Sequence, residues 1–199
     1  MALKFQYNKT ALRDLDKQLN IRTRALPTLK NKESALRVEV KKAKKTADSL
    51  EGEIIKKQKE FKDYSGLWCE FNPDLVKITD LQSSTIKIAG VKIEVFDNII
   101  FAGKAYNIFT LPVWFNDGIE HVKEMVKLKI RKQFAVKMMK KLETARRKTT
   151  QKVNLYEKVQ IPEYQSAIRK IKRFLEDEEN LSKSAQKIIK KRKIENVEV

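Results

Sequence analysis

His121 and Cys69 are the side chains with the most versatile chemistry, and the chain has one of each. A catalytic Cys–His couple needs a further group to orient the base, and a metal cage needs three or four ligands. One imidazole and one thiol leave both arrangements short of parts. His121 falls in the opening turns of a predicted helix with no ligand partner at helical spacing, so it reads as a surface or packing residue. Cys69 follows Trp68 and reads as a small buried hydrophobe. A single cysteine also rules out an internal disulfide and fits a reducing compartment. The carboxylate run Glu176, Asp177, Glu178 and Glu179 is the pattern of a solvated helix face, and Met138 and Met139 read as core. No GxxxxGK[ST] loop is present to cradle a nucleotide. An enzyme is not expected, and neither is a cofactor or a metal.

Basic residues are the remaining candidates for chemistry. Lysine and arginine number 44 against 26 acidic residues, a formal net charge of +18. Lys and Arg that contact phosphates release counterions, so a nucleic-acid-associated coiled coil is one reading. The charges recur all along the chain, however, as in Lys41, Lys42, Lys44 and Lys45 and again in Lys140, Lys141, Arg146, Arg147 and Lys148. That distribution suits the solvated surface of a long helical rod, which an acidic socket would attract.

The elements that carry these charges follow from apolar spacing. One column runs Leu12, Leu19, Leu26, Glu33, Val40, Ala47, Ile54, Phe61, Trp68. The other runs Leu15, Arg22, Leu29, Leu36, Ala43, Leu50, Lys57, Tyr64. Apolar residues alternating at three and four make a narrow stripe on a helix, the seam of a coiled coil. Sixty helical residues reach roughly 90 Å, so such a helix must lie against another long one. Asn8 or Thr10 can cap it, and it should run to about Tyr64. Pro27 should kink it locally, and Gly52 costs about 1 kcal/mol relative to alanine. The charged seam residues Arg22, Glu33 and Lys57 either fix register or direct their charge outward.

Asn72-Pro73-Asp74 ends this helix, and the period then changes to two. Thr85–Phe96 alternates apolar and polar residues and is rich in β-branched types, which predicts half-buried strands. Ile99–Ala102 extends the insert. An isolated hairpin is marginal, so the insert must lean on the helices or on a partner. Asn116-Asp117-Gly118 is a turn signal that offers an N-cap to a second long helix over about 119–193. Its seam candidates are Ala135, Met138, Leu142, Ala145, Thr149 and Tyr156. After Ile161-Pro162 the phase moves to Tyr164, Ile168, Ile171, Leu175, Leu181, Ala185 and Ile188, which predicts a bend at the proline. If the helices pair antiparallel, Pro27 and Pro162 would add curvature to the rod. The fold expected is mainly α, a long antiparallel two-helix coiled coil with a small β-rich insert. The segments are 1–68, 69–117 and 118–199.

Three stretches carry a resemblance. Leu26-Pro27-Thr28-Leu29-Lys30-Asn31-Lys32-Glu33-Ser34-Ala35-Leu36 is Leu/Lys-rich. Ala89-Gly90-Val91-Lys92-Ile93-Glu94-Val95-Phe96 reads as a strand motif. Val153-Asn154-Leu155-Tyr156-Glu157 is followed by Ile161-Pro162. In this order, with the basic tail Lys187–Lys193, they resemble the D subunit of the V-type and archaeal-type rotary ATPases, the central rotor shaft. Pro27 departs from the aliphatic residue usual in that family.

The resemblance implies that the chain ends reach into the hexameric ATPase head, whose catalytic and non-catalytic subunits would be partners. Leu12, Leu15, Ile188, Ile189, Lys191 and Arg192 would then be head-socket contacts. It implies that the insert faces the membrane-side rotor adaptor and that the F subunit of the rotor docks on the shaft. Aromatic side chains dominate interface energetics and concentrate in and around the insert, where they either dock other rotor subunits or pack the insert's own small core. On the docking alternative the resemblance makes Gly90, Val91, Phe96, Phe101, Tyr106 and Trp114 the expected rotor-partner contacts. The implied function is transmission of torque between ATP hydrolysis or synthesis in the head and ion translocation. The implied location is cytoplasmic and peripheral to the membrane, with no membrane insertion and no nucleic acid. A prefoldin-like chaperone subunit, which also joins two helices through β-hairpins, is a further alternative.

Overall fold

A computed structural model describes residues 4–62, 66–72, 75–103 and 112–195. Helix α1 covers Lys9–Glu60 and is followed by a 3-10 turn at Leu67–Glu70. Strands β1 (Val76–Ile88) and β2 (Val91–Gly103) form an antiparallel hairpin. Helix α2 (Trp114–Asn154) passes through a π-helical segment, Leu155–Gln160, into α3 (Ile161–Glu195). The protein is thus mainly helical, with a two-stranded sheet between an N-terminal and a long C-terminal helical segment. The residues group into two compact units, Met1–Asn31 with Thr149–Val199, and Lys32–Lys148.

Asn8 caps α1 as its short polar side chain allows, its Oδ1 accepting from Ala11 N–H at 2.6 Å. Every seam residue of α1 that is described is buried or half-buried, Glu33, Arg22 and Lys57 included. Helix α1 runs through Pro27 without a break. Tyr64, Pro73 and Asp74 lie outside the described residues.

In the first unit Leu15 is buried with Tyr164, Ala167, Ile168 and Ile171, and Leu12, Leu19 and Leu175 pack around them. Arg22 Nε donates to Gln160 Oε1 at 2.7 Å, and Lys30 pairs with Glu157 at 2.6 Å. Partner numbers fall as those of α1 rise, so the helices are antiparallel. The seam stops at Leu175: Leu181 is 72% exposed and Ile188 56% exposed, and Ala185 is exposed as well. The reason is length. Lys9, where α1 begins, lies near Glu179, so among the described residues the later turns of α3 have no helix of this unit to lie against.

In the second unit Leu36, Ala43, Ile93 and Leu142 form the core, with Leu36 fully buried. Ion pairs cross from α1 to α2 at Glu33–Arg146 (4.0 Å), Glu51–Lys132 (2.9 Å) and Lys57–Glu124, again in antiparallel order.

The two strands are long, 13 residues each. They are joined by Ala89 and Gly90 at φ 49° and 80°, the pair of positive values that a type I′ turn requires. Ala89-Gly90 is therefore the hairpin turn and not part of a strand. Two compensating bulges interrupt the ladder, leaving Thr79 extra on β1 and Asp97 extra on β2. Ser84 Oγ donates to Asp97 Oδ1 at 2.9 Å and holds the second bulge. The hairpin leans on the helices through β2: Ile93 enters the helical core, Phe96 packs near Phe134, and Glu94 pairs with Lys141 at 2.8 Å. Strand β1 stays exposed along its middle.

Three further expectations are corrected. Helix α2 starts at Trp114, so Asn116-Asp117-Gly118 lies within its first turns and not ahead of it. Its first turn follows Pro112, whose carbonyl accepts from Phe115 N–H at 3.0 Å. Cys69 is exposed, because it sits on the 3-10 turn beyond the end of α1. The discontinuity expected at Pro162 takes the form of the π-helical segment just before it. Pro162 has no N–H and its ring crowds the carbonyl four residues back, and the wider π turn makes room for both defects.

Candidate functional site

The residues expected to meet partners fall into two groups, one in each unit. In the first unit, Ile188 and Ile189 are both more than half exposed, and Lys191 is exposed on the same turns of α3. Apolar side chains on a single exposed helix among lysines are available to a partner. Arg192 is helical, but its side chain lies outside the described residues. Leu12 is half-buried and Leu15 is buried against the α3 core, so Leu15 directs its side chain into the helix pair.

In the second unit Gly90 is exposed at the hairpin turn, and Lys32 Nζ lies 3.5 Å from the place where a Cβ would stand. Val91 packs against the Leu36–Leu142 core. Phe96 lies 5.8 Å from the Arg131 guanidinium, and Phe101 lies 5.9 Å from the Lys127 ammonium. Both rings are half-buried, and the cations lie at cation–π distance. Tyr106 is outside the described residues. Trp114 belongs to an aromatic cluster with Phe61, Trp68, Phe71, Phe115 and His121. Heptad spacing singles out Phe61 and Trp68 as seam members. It does not reveal that the seam's end and the start of α2 assemble into one cluster.

His121 belongs to that cluster as a packing residue. It is buried and stacked on Phe61. Burial holds its imidazole below the ordinary histidine value, the Lys57 ammonium lowers it further, and Glu124 and Glu60 oppose the shift. No cluster of potential metal ligands occurs among the described residues, and no helix among them is long and apolar enough to cross a membrane.

The seam's charged members each take part in cross-links between helices. Arg22 donates to Gln160 and to Gln18 Oε1 (2.6 Å), and its guanidinium lies 4.6 Å from the Tyr164 ring. Glu33 faces Arg146, and Lys57 pairs with Glu124. Sliding one helix by a turn would separate each charge from its partner, so the three polar positions specify register.

Residues 11–191 match the family model described as the D subunit of ATP synthase. The chain is 28% identical over 189 residues to the D subunit of the V-type ATP synthase of Borreliella burgdorferi, with 94% of each chain covered. It is 32% identical over 184 residues to that of Chlamydia abortus and 31% identical over 180 residues to that of Chlamydia caviae, with 86% of each chain covered in both cases. With a family match spanning nearly all of its length, the chain belongs to the family of ATP synthase D subunits.

Proposed function

We propose that this chain is the central-stalk rotor subunit of a V/A-type rotary ATPase, carrying torque between the catalytic head and ion translocation in the membrane rotor. The family match over residues 11–191 carries this reading. The physical chemistry of the helices is consistent with it. A torque-bearing pair must resist twisting and sliding, and within each unit the apolar seam is pinned by cross-helix contacts, at Arg22 and Lys30 in the first and at Glu33, Glu51 and Lys57 in the second.

In this reading the exposed turns of α3 around Ile188, Ile189 and Lys191, with Arg192 next in the chain and with Leu12, meet the head. Lysine-rich turns offer diffuse attraction to an acidic socket and few deep anchors, which suits a member that occupies successive equivalent positions. The insert and its aromatic flanks, from Gly90 and Phe96 to Phe101 and Trp114, serve fixed docking to the rotor's F subunit and the membrane-side adaptor. The protein then works in the cytoplasm, peripheral to the membrane.

Co-expression with the head subunits of the same organism tests the assignment. The chain should co-elute near one copy per head hexamer and change ATP turnover. Deleting the turns from Ile188 onward should leave the thermal midpoint unchanged, because those turns lie beyond the seam, and should weaken ATP-driven ion transport. Elution of the full chain alone, or only with nucleic acid that moderate salt removes, would refute the assignment.

A further inference from the structure

The aromatic cluster at the start of α2 borders a partly open cavity of about 280 Å³, lined by Phe61, Leu67, Trp68, Trp114, Asp117 and Gly118. Its walls are ring faces set at steep angles. Trp68 and Trp114 stand at 80° with centroids 5.9 Å apart, and Phe61 is tilted 59° to Trp68 at 6.2 Å. Such rings do not fill the corner between them. Gly118 sets the position of one wall, since a Cβ there would stand 3.1 Å and 3.3 Å from atoms of the Trp114 ring. Behind the walls Phe115, Ile119 and His121 are buried, which gives the cavity a packed backing. The one charged lining group is the exposed carboxylate of Asp117, and it has no ion-pair partner among the described residues.

The geometry points to a binding site for an alkylammonium group, supplied by a lysine side chain of a protein partner that docks on this end of the second unit. Aromatic faces present negative charge density to a cation, and the effect grows when the cation is desolvated between several rings. Walls at steep angles surround a compact ammonium, whereas a planar guanidinium is better matched by parallel faces. Asp117 supplies the countercharge and sets the site apart from a plain apolar pocket. His121 does not oppose a cation at neutral pH, because burial favours its uncharged form. The rest of the molecule is strongly basic, so an acidic ligand is drawn to the lysine-covered helices, and the Asp117 carboxylate is what favours a cation over a neutral apolar group in this aromatic corner.

Both tryptophans of the chain line the cavity, so tryptophan fluorescence, excited selectively at wavelengths where tyrosine does not absorb, reports on it. The intact protein would be titrated with N-acetyl-lysine methylamide and, separately, with its uncharged counterpart N-acetyl-norleucine methylamide. The expected result is a saturable change with the lysine probe and binding weaker by roughly tenfold with norleucine. Asp117→Asn should weaken the lysine probe several-fold without changing the far-ultraviolet circular dichroism, and Asp117→Glu should restore most of the affinity. Gly118→Ala should displace the Trp114 ring and weaken binding as well. The absence of any saturable change, or equal affinity for norleucine, would overturn the proposal. Tighter binding of the arginine analogue or of tetramethylammonium than of the lysine probe would overturn the assignment to lysine.

Discussion

Arg22 occupies a seam position of α1, yet its Nε donates to Gln160 Oε1 at 2.7 Å, inside the only π-helical turn among the described residues. The guanidinium also reaches Gln18 and faces the Tyr164 ring. A π turn opens the helix surface beside Pro162, and a long planar cation fills that space better than an aliphatic seam residue would. Arg22→Ala removes the hydrogen bonds and the ring contact together. It should lower unfolding free energy by about 1–3 kcal/mol in urea denaturation. An unchanged midpoint would mean that the π turn supports itself.

The extent of the seam gives a second prediction. Leu36 and Ile171 are fully buried, one in each unit, whereas Leu181 is 72% exposed. Leu36→Ala and Ile171→Ala should each cost about 2–5 kcal/mol through lost burial and the cavity left behind. Leu181→Ala should stay within about 0.5 kcal/mol. Chemical denaturation of the three variants decides it, and a large loss at Leu181 would show that the seam continues past Leu175.

Legibility in the sequence divides along the same line. The heptad columns of α1 are readable because one helical face is buried along the whole described length, and burial selects apolar residues at that spacing. The hairpin is readable from its alternation at Ile86, Ile88, Val91 and Ile93. The π turn is not, because only Pro162 and a phase change mark it, and both fit a simple bend equally well. The exposure of Leu181 is hidden because periodicity shows which face is apolar and not whether a partner helix extends that far. The aromatic cavity is hidden for a related reason: Phe61, Trp68 and Trp114 meet only through the tertiary fold. Three-residue windows around Gly118 say nothing of the ring it accommodates.

The hairpin turn offers a stabilising change. Ala89 holds φ at 49°, a conformation that costs an ordinary residue roughly 1 kcal/mol and that asparagine and glycine adopt readily. Ala89→Asn should raise stability by about 0.5–1 kcal/mol, seen as a higher denaturation midpoint with an unchanged slope. A decrease would show that the Ala89 methyl group contributes more through its packing on the Leu36–Leu142 core than the turn loses.

Two titrations should shape stability in acid. The Arg146 guanidinium, together with Arg147, holds the Glu143 carboxyl down to about 2. A depressed folded-state value makes the unfolded chain take up the proton first, so this stabilisation is present above about pH 4.5 and is lost as pH falls toward 2. Glu143→Gln should remove that part of the acid dependence. His121, faced by Lys57, Glu124 and Glu60, is likewise depressed from 6.5, so stability should begin to fall below that pH as the unfolded imidazole protonates. Denaturation midpoints of the wild type and of His121→Gln between pH 7 and 5 check this. A flat wild-type profile would contradict the burial of a neutral imidazole.

The rotor assignment is tested most directly by watching the chain turn. Cys69 is the sole cysteine and is exposed, so it accepts a bead or a polarised fluorophore without further engineering of this chain. The chain would be assembled with a cysteine-free head fixed to a surface and supplied with ATP. The predicted result is stepwise rotation in one direction, at a rate that follows ATP hydrolysis. A probe that stays fixed to the head while hydrolysis proceeds would contradict the assignment of this chain to the rotor.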